Sequence, residues 1–152
     1  MRDYHEISQA VTALTAGETD VIAKMATIVC ELFNRFDGFD WVGFYRVTAA
    51  DTLKIGPYQG GHGCLVIPFS RGVCGKAARD RAPVIVNDVT TFPDHIACSS
   101  STLSEIVLPV FDRSGELIAV LDIDSDRPAA FDHHDANALK EILRRAFAEP
   151  GQ

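Results

Sequence analysis

Between Thr19 and Gly38 the residues Ile22, Met25, Ala26, Val29, Leu32, Phe33 and Phe36 recur at the spacing of one helical face, and from Asp40 that period is lost. A helix this amphipathic must lay its stripe on another element, and the residues that follow are strand formers. Thr19 or Asp20 can cap the helix and Gly38 ends it. A weaker helical stretch over residues 4 to 15 precedes it, closed by Gly17. Cys30 lies beside the apolar stripe, where a free cysteine behaves as a small hydrophobe, and is expected to be structural.

Trp41-Val42-Gly43-Phe44-Tyr45-Arg46-Val47, a turn at Ala49-Ala50-Asp51 and the return Leu53-Lys54-Ile55 read as an antiparallel hairpin. A glycine-rich connection over residues 56 to 63 leads to a short strand, Cys64 to Pro68. No phosphate-binding loop fits there, because neither of its glycine signatures is present. Ser70 to Gly75 lead into a short helix, Lys76 to Asp80, and Pro83 to Asn87 form a further strand. Ile106 to Phe111, a turn at Asp112 to Gly115, and Leu117 to Asp124 make a second hairpin. Asp132 can cap a last helix with Leu139, Ile142, Leu143, Ala146 and Phe147 on one face. Helices at both ends with hairpins between them predict an α+β fold, an antiparallel sheet with helices packed on one side.

With 152 residues, 47% of them hydrophobic, the chain is expected to form a single domain over residues 1–152. No apolar run reaches membrane-helix length and Met1 to Glu6 do not read as a signal peptide, so a soluble, unexported protein is expected. The net charge of -7 argues against nucleic acid or anionic lipid as partner. The four cysteines are then better read as catalytic, redox or buried thiols than as disulfide staples. No Cys-x-x-Cys occurs and the spacing of Cys64, Cys74 and Cys98 does not suit a zinc knuckle, so no metal is expected.

The chemistry concentrates around the loop Phe92 to Ser101, which carries His95 and Cys98. A loop thiolate can attack an oxidised substrate, become a sulfenic acid and be trapped as a disulfide by a second cysteine. Cys64 and Cys74 are candidates for that partner. Asp122 and Asp124, two apart on a predicted strand, leave the same face, and their crowding should raise the pKa of one of them. Glu105 joins them if residues 104–105 pair beside residues 120–124. Trp41 and Tyr45, four apart, share a face and can wall a pocket. His95, like His5, His62, His133 and His134, is expected to be a surface residue or an orienting hydrogen bonder.

Taken together, Trp41 to Tyr45, Gly56 to Gly60, Arg71 to Gly75, His95 to Cys98, Ser104 to Val107 and Leu121 to Ser125 resemble the free methionine-(R)-sulfoxide reductases, stand-alone GAF domains. The resemblance covers roughly residues 20 to 148 with the motifs in order. It implies a GAF-like sheet and a cytoplasmic oxidoreductase, without cofactor, that repairs free L-methionine (R)-sulfoxide and is restored by thioredoxin. It also implies Cys98 as nucleophile, Cys64 and Cys74 as further redox cysteines, Glu105, Asp122 and Asp124 as substrate-binding acids, and Trp41 and Tyr45 as an aromatic wall. Which of Cys64 and Cys74 resolves first stays open, and a homodimer through terminal helices is carried by analogy alone. Ser70, Lys76 and the pair His62-Gly63 before Cys64 depart from the family's usual residues. The competing expectation is a non-catalytic GAF module that binds a small ligand or senses redox state.

Overall fold

A computed structural model describes residues 1–149. Its centre is one antiparallel sheet of strands β1 (Trp41–Ala49), β2 (Thr52–Gln59), β3 (Val66–Pro68), β4 (Val84–Val86), β5 (Ser104–Phe111) and β6 (Leu117–Ser125), in the spatial order β3-β2-β1-β6-β5-β4. The two hairpins expected from the sequence, β1–β2 and β5–β6, meet side by side through β1 and β6. The helices are α1 (His5–Leu14), α2 (Val21–Arg35), α3 (Gly72–Asp80) and α4 (His133–Leu143).

One sheet face is apolar throughout. Val42 and Phe44 of β1 stand opposite Ile123 and Leu121 of β6, which stand opposite Ile106 and Leu108 of β5. All six are fully buried against Ile7 of α1, Met25, Ile28 and Leu32 of α2, and Leu139 and Ile142 of α4. The buried stripe of α2 is Met25, Ile28, Val29 and Leu32; Ile22 and Ala26, expected in it, are exposed, because the face is rotated toward Ile28. Cys30 is exposed rather than packed, for the same reason. Asp20 is the helix cap, its Oδ1 accepting from the amides of Ile22 and Ala23.

The expectation of helices on one side holds for α1, α2 and α4 and is corrected for α3. That helix lies on the opposite face, its Val73, Cys74 and Ala77 packed with Tyr45, Val107 and Val120. It also begins earlier than expected, at Gly72, so Cys74 is a helical residue. Two small residues permit this position: Gly72 has φ +73, and a side chain at Gly75 would come within 2.6 Å of the Phe69 carbonyl. Likewise β2 runs on to Gln59 through the stretch expected to be a loop, and β3 starts only at Val66, leaving Cys64 in the connection. Lys76 is a surface residue of α3 whose ammonium lies 2.6 Å from Asp80 one turn on.

The start of the chain is tied to α4 by one buried carboxylate. Asp135 accepts from the Tyr4 hydroxyl at 2.7 Å, the Arg2 guanidinium at 2.9 Å and the Asp132 amide at 3.0 Å, the last closing a capping box. The Arg2 guanidinium also lies 4.8 Å over the Phe39 ring. Asp135→Ala should therefore lower unfolding stability by about 3 kcal/mol, because it leaves a buried hydroxyl and a half-buried cation unpaired. Urea denaturation followed by circular dichroism checks this, and a loss within error of zero contradicts it.

Candidate active site

The face of the sheet away from α1, α2 and α4 carries the polar groups. The register sets Trp41 opposite Asp124 and Gly43 opposite Asp122, while Glu105 stands opposite Asp124 and Val107 opposite Asp122. Cross-strand partners share a face, so Glu105, Asp122 and Asp124 form one acidic floor with Trp41 beside it. Asp122 and Asp124 are not wet: Asp122 is 5% exposed, and the Oδ1 atoms of both are buried without a hydrogen-bond partner. Asp122 neighbours Glu105, Asp124 and the Cys74 thiol, with one oxygen each of Asp122 and Glu105 and the Cys74 sulfur within 4.8 Å of one another.

Burial therefore dominates the electrostatics. Loss of water raises Glu105 to about 8, with the Asp124 charge adding to it. The same cause pushes Asp122 and Asp124 well above the ordinary carboxyl range, strengthened by Glu105 and Asp122 respectively. Crowding was expected to raise one of the aspartates; desolvation raises all three acids. Cys74 is pushed up by burial and by its acidic neighbours, so it rests as a thiol.

The wall is a stack of aromatic rings. Trp41 lies between Tyr45, with centroids 5.9 Å apart, and Tyr58, at 5.4 Å, and its indole N–H donates to the Gly61 carbonyl at 2.8 Å. The indole lies across Gly43, where a Cβ would be 2.4 Å from the ring. A Cβ at Gly63 would be 2.9 Å from the same ring and 3.0 Å from the Tyr45 hydroxyl, which accounts for glycine before Cys64 in this chain. A glycine inside a strand signals close approach of another group, and at Gly43 that group is the indole of Trp41.

Opposite the wall, the loop from Phe92 to Leu103 closes the site. It is held by the Gly72 amide donating to the Asp94 carbonyl at 3.1 Å, by Ile96 packed over Gly72, and by the Leu103 amide donating to the Ser125 carbonyl at 2.8 Å. Cys98 of this loop is joined by a disulfide to Cys64, with Cα atoms 5.4 Å apart. His95 is half-buried, its Nε2 3.4 Å from a Glu105 carboxylate oxygen, with its pKa lowered by burial. It faces the floor; His62, though exposed, also lines this cavity, whereas His5 and His133 are exposed and His134 bonds the Arg2 carbonyl.

The structure thus brings Cys98, Cys74, Glu105, Asp122, Asp124, Trp41 and Tyr45 to one cavity, together with His95 and the first turn of α3, and ties Cys64 to its edge through the bond to Cys98. The cavity is only about 30 Å³ in this bridged state, room for little more than one water. Such a site offers a thiol pair, a proton source and an acidic floor.

A GAF-domain family model matches residues 16–146. A free methionine-R-sulfoxide reductase of Escherichia coli (strain K12) is 39% identical over 140 residues, covering 92% of this chain and 84% of that protein. GAF domain-containing protein A of Dictyostelium discoideum is 43% identical, over 93% of this chain and 88% of its own length. Among solved structures, the free methionine-R-sulfoxide reductase from Neisseria meningitidis in complex with its substrate superposes with a TM-score of 0.88 at 44% identity, covering 95% of this chain and 88% of that one.

Two outcomes follow from the floor and the wall. Between about pH 4.5 and about pH 8 folded Glu105 keeps a proton that the unfolded chain releases, so its contribution to stability falls as pH rises through that window. Glu105→Gln should make the pH dependence of unfolding free energy shallower there, by about 1 kcal/mol per pH unit, measured by urea titrations at several pH values. An unchanged slope contradicts a raised Glu105. Gly43→Ala should cost about 1 to 3 kcal/mol through overpacking, and shift Trp41 fluorescence as the indole is displaced. An unperturbed emission spectrum would show that the ring is not pinned there.

Proposed function

Because the chain belongs to the GAF-domain family, and within it to the free methionine-(R)-sulfoxide reductases, we propose that Cys98 and Cys64 carry its reaction over the floor of Glu105, Asp122 and Asp124. The protein is a thiol-dependent reductase of free L-methionine (R)-sulfoxide. The observation that carries the assignment of residues is the Cys64–Cys98 disulfide at a cavity floored by three protonatable acids.

Cys98 attacks the sulfoxide sulfur while an acid of the floor delivers a proton to its oxygen, since hydroxyl leaves far more readily than oxide. The oxygen so released, as water, attacks the Cys98 sulfur and gives up a proton as the bond between the two sulfurs breaks; methionine departs with that electron pair and Cys98 is left as a sulfenic acid. The Cys64 thiol condenses with it, releasing water and forming the disulfide. A thioredoxin-type dithiol then reduces that bond, returning two thiols, and the cycle is assigned to the cytoplasm. No cofactor enters these steps. With Cys64 bridged to Cys98 the cycle closes without Cys74; a buried thiol that keeps its proton is poorly suited to attack, and an exchange through it requires α3 to open.

Selection of the free amino acid follows from two opposite poles. The floor suits an ammonium, and its binding lowers the acids' pKa toward values at which one ionises and another still donates. The first turn of α3, which has no side-chain cap, lines the same cavity; its Gly72 amide is taken by the Asp94 carbonyl, and the amides of Val73 and Cys74 are those left for the substrate carboxylate. Trp41 and Tyr45 flank the thioether. The bridged state is too small for this ligand, so reduction of the disulfide releases the loop and admits it.

The decisive assay couples free methionine sulfoxide to NADPH oxidation through thioredoxin and its reductase. Wild type should consume the R epimer alone, Cys98→Ser should be inactive, and N-acetyl-methionine sulfoxide should lose about 100-fold or more in kcat/KM, having no ammonium. Parental turnover by Cys98→Ser refutes the assignment. Silence of the wild type toward both epimers would instead favour a binding or redox-sensing module.

A further inference from the structure

Cys74 is the one thiol of the cavity that the cycle leaves unused. Its sulfur and one carboxylate oxygen each of Glu105 and Asp122 lie within 4.8 Å of one another, all three residues buried. They come from three packed elements, α3, β5 and β6, rather than from a flexible loop. Asp122 is 5% exposed, and its buried Oδ1 has no hydrogen-bond partner. We propose that Cys74, Glu105 and Asp122 form a binding site for a thiophilic divalent cation of the zinc class, in the place that the substrate ammonium takes.

The sulfur distinguishes the two cations. An ammonium donates hydrogen bonds to the carboxylate oxygens and gains little from a thiol, whereas zinc bonds thiolate at about 2.3 Å and carboxylate at about 2.0 to 2.2 Å. Those arms put tetrahedral ligands roughly 3.5 Å apart. The present atoms, within 4.8 Å of one another, would have to draw in by about 1 Å to reach those distances. A water takes the fourth position, as in zinc sites with three protein ligands, and the cavity has room for about one. His95, 3.4 Å from Glu105, stands where it can orient that ligand from outside. Binding displaces the Cys74 thiol proton and any carboxyl protons to solvent, and no electrons move. A loaded cavity excludes the sulfoxide and withdraws its acid. That inhibition rests on the reductase reading above, while the metal binding does not.

The test uses the full chain with Cys30, Cys64 and Cys98 replaced by Ser, leaving Cys74 as the only thiol. Cobalt(II) should bind at one equivalent with thiolate-to-cobalt absorption in the near ultraviolet, discharged by zinc(II). Cys74→Ser in this background should abolish the absorption and weaken binding by about 100-fold or more, and Asp122→Asn, which keeps the thiol, by about tenfold or more. Free methionine sulfoxide should weaken cobalt binding. Should the triple variant not fold, the disulfide-bonded Cys30→Ser protein serves for the metal titration, since its bridge silences Cys64 and Cys98. Absence of the thiolate band, or its persistence in Cys74→Ser, overturns the site. If sulfoxide binds without displacing metal, the shared location is overturned. If metal binds and sulfoxide does not, the site stands and the substrate assignment fails.

Discussion

Three neighbouring strands in register, β1, β6 and β5, hold Trp41, Asp124 and Glu105 in one row, and the remainder of the cavity depends on that alignment. A slip by one residue would exchange faces, sending Asp122 and Asp124 into the helical core and Leu121 and Ile123 to the cavity. Such a slip is resisted by the opposite face, where Ile123, Leu121, Ile106 and Leu108 are fully buried beneath α2 and α4. Burying the acids is unfavourable by itself, and the apolar packing offsets it. The helices that never touch substrate therefore hold the acids at positions where their protons are retained near neutral pH.

Each side of the cavity makes a different demand on the backbone. The aromatic wall needs missing side chains at Gly43 and Gly63, since the indole occupies the volume where methyl groups would stand. The lid needs a tether: Cys98 lies in a loop with few anchors and is held by its covalent bond to Cys64, 34 residues earlier. In the proposed cycle this tether is the product of the chemistry, so the oxidised state is the one in which the lid is fastened. Cys74, on a packed helix, sits with the floor rather than with the loop.

Much of this was legible in the sequence because it is periodic. Residue parity along β6 put Asp122 and Asp124 on one face, and the four-residue interval did the same for Trp41 and Tyr45, from strand geometry alone. The two hairpins, the Asp20 cap and the terminal helices followed from equally local signals. Family motifs supplied Cys64 and Cys98 as redox residues, but left the partner of Cys98 undecided between Cys64 and Cys74. Local pattern misplaced the stripe of α2 by one position, the start of α3 and the end of β2, all at boundaries where a neighbouring element decides.

What the sequence determined by itself was the set of faces: which residues a strand or helix must present together, since that depends only on backbone repeat. Only the tertiary structure decided how far those faces would be dried. Dehydration of Glu105, Asp122 and Asp124 requires α3 on one side and the 92–103 loop above, both brought from distant positions in the chain. It also decided that Cys64 rather than Cys74 meets Cys98, because α3 keeps Cys74 buried against the sheet while the connection before β3 carries Cys64 to the lid. His95 acquired its place the same way: nothing in the residues around it indicates a carboxylate 3.4 Å away on another strand. Periodicity is a property of a segment, whereas solvent exclusion is a property of everything packed around it.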